Sequence, residues 1–115
     1  MVIEDDPVVR GVLALLLESV GWRVTEAGDG HIGLQLIETT KPDLVVTDLR
    51  LPGLSGIDIA MRVESGPHSA PVIGITSDTA DLRAAALRSG RFSAVFTKPF
   101  EPEQFLESIR HTVSD

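Results

Sequence analysis

The chain has 115 residues, of which 43% are apolar and 23% are charged, a composition that suits one folded domain and excludes a disordered chain. Its net charge of −7 argues against DNA and anionic membranes as partners, because both attract positively charged surfaces. There is no cysteine, no signal-peptide pattern and no apolar run of about 18 residues, so we expect a cytoplasmic protein without disulfides, thiolate metal sites or membrane spans.

Strand-like and helical patterns alternate along the whole chain. The short apolar run Val2-Ile3 predicts the first strand. Asp6 followed by Pro7 predicts the start of the first helix, since Asp is a favoured N-cap and Pro a favoured first helical residue, and Gly21 ends it. The leucines of this helix are assigned to the core. The residues that recur at helical spacing are Val9, Val12, Leu13, Leu16 and Val20.

The remaining elements continue this alternation. Further strands are predicted at residues 22–27, 43–49, 71–76 and 93–97. Further helices are predicted at residues 31–40, 57–64, 82–89 and 102–113, the last with Phe105, Leu106, Ile109 and Val113 facing inward. Parallel strands need helical crossovers, and nearly continuous apolar strands are typical of a sheet covered on both faces. The predicted fold is therefore α/β, a three-layer doubly wound (βα)5 domain with a five-stranded parallel sheet, over residues 1–115.

Polar residues concentrate where the predicted strands end. They are Glu4-Asp5-Asp6, Asp48, Thr76-Ser77 and Lys98. Ligands of doubly wound sheets bind at this edge. Two carboxylates about 4 Å apart repel by roughly 1 kcal/mol in water, and by more where water is excluded, so a bound divalent cation would relieve the cluster. Oxygen ligands favour Mg2+, Ca2+ or Mn2+ over zinc. The residues thus indicate a site for a hard metal ion and phosphate.

Four of these segments together resemble the response-regulator receiver domain family. They are IEDD, VVTDLRLPGLSG, PVIGITS and FTKP, and they match the family in order, spacing and placement over nearly the whole chain. The resemblance implies a flavodoxin-like strand order of 2-1-3-4-5. It also implies a phosphorylation-dependent signalling switch of a two-component system.

The resemblance implies an acceptor and a metal site. Asp48 would be the phosphoacceptor. Mg2+, or Mn2+ in its place, would be held by Asp5, Asp48 and the backbone carbonyl of Arg50, with Glu4 acting through water.

The resemblance also implies groups that contact the phosphoryl oxygens. The Thr76 hydroxyl would donate a hydrogen bond, and the Lys98 ammonium would pair with the negative charge. The backbone N–H groups of Leu49 and Ser77 would donate as well. The bond between Lys98 and Pro99 is implied to be cis.

The implied phosphodonor is a histidine kinase or a histidine phosphotransfer protein. No nucleic acid or membrane is expected as a partner, and a weak homodimer stays open. Such a switch only gains and loses its own phosphoryl group, so we do not class it as an enzyme.

Two alternative functions remain. A receiver-like interaction module that is never phosphorylated is disfavoured by the retained Asp5, Asp48, Thr76 and Lys98. A Mg2+-dependent phosphohydrolase with an Asp nucleophile is disfavoured because such enzymes commonly place a second Asp where this chain has Arg50.

Three features depart from the family pattern or add to it. Val95 stands where the family often has an aromatic residue that reports the acceptor state, so that switch is not expected in its usual form. Ser108 replaces an arginine usual in regulators that dimerise through their last two helices, which argues against that dimer.

Arg50 and Asp78 each follow a site residue by two positions, and we hypothesise that they slow dephosphorylation together; the alternative is two independent solvated charges.

Overall fold

The computed structural model describes residues 1–66, 69–77 and 80–113. The strands are β1 (Val2–Ile3), β2 (Glu26–Ala27), β3 (Val45–Asp48), β4 (Val72–Thr76) and β5 (Ala94–Thr97). The helices are α1 (Pro7–Ser19), α2 (Gly30–Thr40), α3 (Gly56–Ser65), α4 (Asp81–Ser89) and α5 (Pro102–Val113). All strand pairs are parallel and the strand order is β2-β1-β3-β4-β5, which confirms the predicted fold and topology. No helix in the described ranges is long and apolar enough to cross a membrane.

The start of α1 follows the predicted capping. The Asp6 carboxylate accepts hydrogen bonds from the N–H groups of Val8 and Val9, at 2.9 and 3.4 Å, and Pro7 is the first helical residue. These bonds satisfy two of the amide groups that a helix leaves without partners at its N-terminus. The helix therefore begins directly after the residues that end β1.

The second strand is much shorter than the predicted 22–27. Only Glu26 and Ala27 belong to it, and they pair with Val2 and Ile3 of β1. Because β1 itself has only two residues, Thr25 is the one residue of 22–25 that bonds to it, through a carbonyl that accepts from the N–H of Val2 at 2.8 Å. The prediction was wrong for those four residues, whose pattern resembles a strand although the neighbouring strand is too short to pair with them.

The inward face of α1 also differs from the prediction. Leu13 and Leu17 are buried, and they pack against the central strands. Leu15, which was assigned to the core with the other leucines, is 68% exposed, and Val12 and Val20, which recur at helical spacing, are 45% and 53% exposed. The helix has more apolar positions than the sheet and α5 can cover, so part of its apolar surface faces solvent.

The sheet separates two apolar clusters. One lies under α2 and α3, and the other lies under α1 and α5, where Phe105 and Ile109 are buried. Val113 continues their row but is 41% exposed, because it lines an open groove with Val20 and Trp22 at the end of α5. The prediction that Val113 faces the core was therefore wrong.

Candidate functional site

Three carboxylates meet at the carboxyl edge of the sheet. Glu4 and Asp5 follow β1, and Asp48 is the last residue of β3. Each offers an oxygen that lies within 4.8 Å of an oxygen on the other two. Glu4 and Asp48 are buried, whereas Asp5 is exposed. A compact set of oxygen ligands with one face open to solvent fits a hard divalent cation such as Mg2+, which keeps several water ligands.

Lys98 ties two of these carboxylates together. Its Nζ lies 2.5 Å from Oε1 of Glu4 and 2.7 Å from Oδ2 of Asp48. Lys98 follows β5, and its backbone N–H donates to the carbonyl of Thr76 at 2.8 Å, which fixes it beside the end of β4. The peptide bond between Lys98 and Pro99 is cis, as the resemblance implied.

The protonation of this cluster reflects burial and pairing. Burial raises the pKa of Glu4 to about 7; the hydrogen bond from Lys98 opposes that rise, and the neighbouring Asp48 adds to it. Burial lowers the pKa of Lys98, but its hydrogen bonds to Asp48 and Glu4 raise it by more, so the net shift is upward. Lys98 therefore stays charged while it holds two carboxyl groups that repel each other when both are ionised.

The loop after β3 holds the Asp48 side chain from its other end. The backbone N–H of Arg50 donates to Oδ1 of Asp48 at 2.9 Å, and Arg50 forms a bridge with Ser55. The N–H of Leu49, which was expected to contact a phosphoryl group, instead donates to the carbonyl of Ile75 at 2.8 Å. That expectation was wrong, because the ladder between β3 and β4 continues one residue past Asp48.

The first residue of α3 packs directly on the end of β3. The N–H of Gly56 donates to the carbonyl of Leu49 at 2.8 Å. A Cβ atom at Gly56 would lie 2.5 Å from the backbone oxygen of Asp48 and 2.8 Å from the Cα of Leu49. Only glycine therefore allows the start of α3 to lie this close to the end of β3. At this contact α3 supports the backbone that carries Asp48.

Thr76 and Ser77 lie on the other side of Asp48 from Glu4 and Asp5, which are called the acidic pair below, since β3 runs between β1 and β4. The space between these strand ends is called the cleft. Thr76 ends β4, is buried, and stands opposite Thr97 of β5. Ser77 follows it and is exposed. Asp78 lies outside the described residues, and Arg50 is exposed. The hypothesis that these two residues together slow dephosphorylation stays a prediction.

The family model described as response regulator receiver domain matches residues 1–110 of this chain. The chain belongs to that family. The match covers all five strands and most of α5, so it includes every strand end that contributes to the site.

Individual relatives agree with this assignment. The DNA-binding response regulator MtrA of Mycolicibacterium smegmatis is 35% identical over 114 residues, which cover 96% of this receiver domain and 48% of MtrA. The chain thus spans about half the length of the curated relatives it matches. A Chloroflexus aurantiacus crystal structure, solved as a candidate response regulator, is 28% identical with a TM-score of 0.89, covering 99% of this chain and 95% of that one.

Phe96, which follows Val95, does not replace the aromatic residue that the family often has at position 95. Phe96 packs edge-on against Phe105 of α5, with ring centroids 5.6 Å apart, and near Phe100 at 6.3 Å. Successive strand residues point to opposite faces of a sheet, so Val95 faces the side of α4. The position at which the family often has the aromatic residue is therefore occupied by the half-buried Val95.

Arg10 lies near the site although its sequence position did not predict it. Arg10 of α1 donates from Nη1 to the backbone carbonyl of Glu4 at 2.9 Å. A signal was present, because Arg10 is the one basic residue in an otherwise largely apolar helix. Helical spacing alone does not show that its side chain reaches back to the end of β1.

Proposed function

We propose that this receiver domain is a cytoplasmic phosphorylation-dependent switch that takes a phosphoryl group onto Asp48 from a phosphohistidine. The observation that carries the proposal is the Lys98 ammonium, which bridges Asp48 and Glu4 at the carboxyl edge of the sheet. A buried Asp48 carboxylate held by one ammonium group, next to the solvent-exposed Asp5, suits an acceptor of a charged group. A module that is never phosphorylated has no need for this arrangement.

The transfer needs little beyond positioning and charge compensation. An oxygen of the Asp48 carboxylate attacks phosphorus while the phosphorus–nitrogen bond of the phosphohistidine breaks. The imidazole nitrogen keeps the electron pair of that bond and takes up a proton. Asp48 attacks as a carboxylate and needs no general base. The Lys98 ammonium and the Thr76 hydroxyl would stabilise the phosphoryl oxygens.

The metal ion that we propose is Mg2+, with Mn2+ as an alternative. Asp5, Asp48 and the backbone carbonyl of Arg50 would hold it, with Glu4 acting through water. When bound, such an ion neutralises charge on the transferred phosphoryl group. Glu4 and Asp48 are already bridged by Lys98, so the exposed Asp5 is the carboxylate most accessible to an ion from solvent.

Phosphorylation would change the surface through Lys98 and Thr76. A phosphoryl group on Asp48 would compete with Glu4 for the Lys98 ammonium, because it brings more negative charge than either carboxylate. Thr76 and the loop after it would be drawn towards the new oxygens. The face formed by α4, β5 and α5 would then differ between the two states.

The test is phosphorylation by acetyl phosphate with Mg2+, followed by intact mass measurement. We expect one phosphoryl group on the parent chain and none on Asp48→Asn. Ser77→Ala serves as the control, because it removes an exposed hydroxyl near the cleft and should leave the adduct in place. A phosphoryl adduct that persists in Asp48→Asn would refute the assignment of the acceptor.

The phosphodonor would be a histidine kinase or a histidine phosphotransfer protein that docks beside the cleft. α1 begins two residues after Asp5, and its exposed apolar residues include Val8 at 72% and Leu15 at 68%. We expect Leu15→Glu to slow transfer from a phosphorylated kinase but not from acetyl phosphate. Leu87→Glu is the matched control, because Leu87 is an exposed leucine (50%) that lies on α4. Equal slowing with both donors would argue against docking at α1.

The domain itself would neither bind nucleic acid nor turn over an external substrate. The name of MtrA states that MtrA binds DNA, and this chain spans about half of that protein. A net charge of −7 suits the switch rather than the DNA contact, because phosphate backbones require positive charge. The phosphohydrolase alternative is also disfavoured, since Arg50 follows Asp48 at the position where such enzymes commonly have a second Asp.

A further inference from the structure

Arg10 connects three segments next to the acidic pair. Its Nη1 donates to the backbone carbonyl of Glu4 at 2.9 Å, and its Nε lies 3.4 Å from Oε1 of Glu26 on β2. The side chain is 24% exposed, so the fold covers most of its surface. A single side chain of α1 therefore contacts the end of β1 and the neighbouring edge strand.

Gly28 leaves the space that the guanidinium uses. A Cβ atom at this position would lie 3.3 Å from Nη1 of Arg10, which is closer than nearly all such contacts. The backbone of Gly28 lies outside the left-handed region, so the glycine is not required by its own conformation. A side chain at this position would instead push the end of Arg10 away by a few tenths of an ångström.

The carbonyl that Arg10 contacts belongs to the peptide that joins Glu4 to Asp5. The β ladder stops there, since the last bond on this side runs from the N–H of Glu4 to the carbonyl of Ala27 at 3.0 Å. The chain then turns into α1, where Asp6 caps the helix. A rotation of this peptide would move the Asp5 carboxylate while Glu4 stayed in the sheet. The hydrogen bond from Arg10 opposes that rotation.

We propose that Arg10 is a positioning residue that fixes the Glu4–Asp5 peptide and thereby sets the place of the Asp5 carboxylate for a divalent cation. The inference rests on the proposed function, because it concerns how well the acidic pair receives Mg2+. Arg10 itself touches neither the ion nor the phosphoryl group. Its effect should therefore appear in the affinity for Mg2+ rather than in the maximal rate of phosphorylation.

The experiment measures Mg2+ affinity directly and through phosphorylation. Mg2+ is titrated against amide chemical shifts, and the Mg2+ midpoint and maximal rate of phosphorylation by acetyl phosphate are recorded. We expect Arg10→Ala to weaken Mg2+ binding about tenfold, as is common when a group that orients a ligand is removed. The maximal rate at saturating Mg2+ should change little. Glu26→Gln, which removes the ion pair but leaves the bond to the Glu4 carbonyl, should stay within about twofold of the parent.

Gly28→Ala tests the role of Arg10 independently, because it keeps the arginine but adds a methyl group that crowds its guanidinium. We expect it to weaken Mg2+ binding by about threefold, between the other two variants. It also decides the question if Arg10→Ala does not fold. A lower melting temperature and maximal rate with unchanged Mg2+ affinity would indicate a merely structural role and overturn the inference. If the parent neither binds Mg2+ nor becomes phosphorylated, the proposed function is wrong and the inference falls with it.

Discussion

The buried Glu4 carboxyl group offers a direct test of the electrostatics of the site. Glu4 is 1% exposed, and burial raises its pKa from 4.5 to about 7 against the hydrogen bond from Lys98, with Asp48 adding to the rise. Because the folded protein holds this proton more tightly than the unfolded chain, the stability contributed by Glu4 is fully present below pH 4.5. It is lost as the pH rises through about 7.

The size of this effect follows from the shift. At about 1.4 kcal/mol for each pKa unit, the change corresponds to about 3 kcal/mol of unfolding free energy. Glu4→Gln keeps the shape of the protonated side chain and removes its ionisation. We therefore expect the variant to match the parent near pH 4.5 and to be more stable by up to about 3 kcal/mol at pH 8.

The assay is urea unfolding without metal, followed by the fluorescence of Trp22, at intervals between pH 4.5 and 8. Glu103→Gln controls for the loss of one negative charge, because it removes an exposed carboxylate of α5. Added Mg2+ should reduce the advantage of Glu4→Gln, since a cation also relieves the repulsion. The reasoning is refuted if Glu4→Gln loses stability relative to the parent as the pH rises. That result would mean that attraction to Lys98 outweighs the cost of burial.

Three further predictions follow from local geometry. Gly56→Ala should destabilise the fold by about 1–3 kcal/mol in urea unfolding, because its Cβ would clash with the backbone of Asp48. Gly11→Ala is the control, because Gly11 has open space around it, and it should stabilise α1 by about 0.5–1 kcal/mol. Equal effects of the two substitutions on stability would contradict the clash. Asp6→Ala should cost about 1 kcal/mol, measured in the same way, through loss of the N-cap, and no change would show that the cap is dispensable. Asp5→Ala should abolish the Mg2+-dependent amide shifts, and undiminished binding would place the metal elsewhere.

Most of the fold was predictable because its signals are local. Apolar runs, helical spacing, the Asp6 cap and the glycine breaks all act within a few residues of the chain. The candidate site was predictable for a related reason: parallel strands bring their carboxyl ends to one edge, so Glu4, Asp48 and Thr76 had to lie near each other once the topology was known. The sequence by itself therefore determined the architecture, the family and most of the residues of the cleft.

Only the tertiary structure decided which of these groups are paired and covered. Lys98 meets Glu4 and Asp48 from 94 and 50 residues away, and no local pattern states that one ammonium holds both. The N–H of Leu49 donates to the carbonyl of Ile75 because β4 extends alongside it. Leu15 stays exposed because no neighbouring element of the described chain covers its side of α1. Periodicity shows which residues can form a face, but the neighbours that pack against that face are set by contacts distant in sequence.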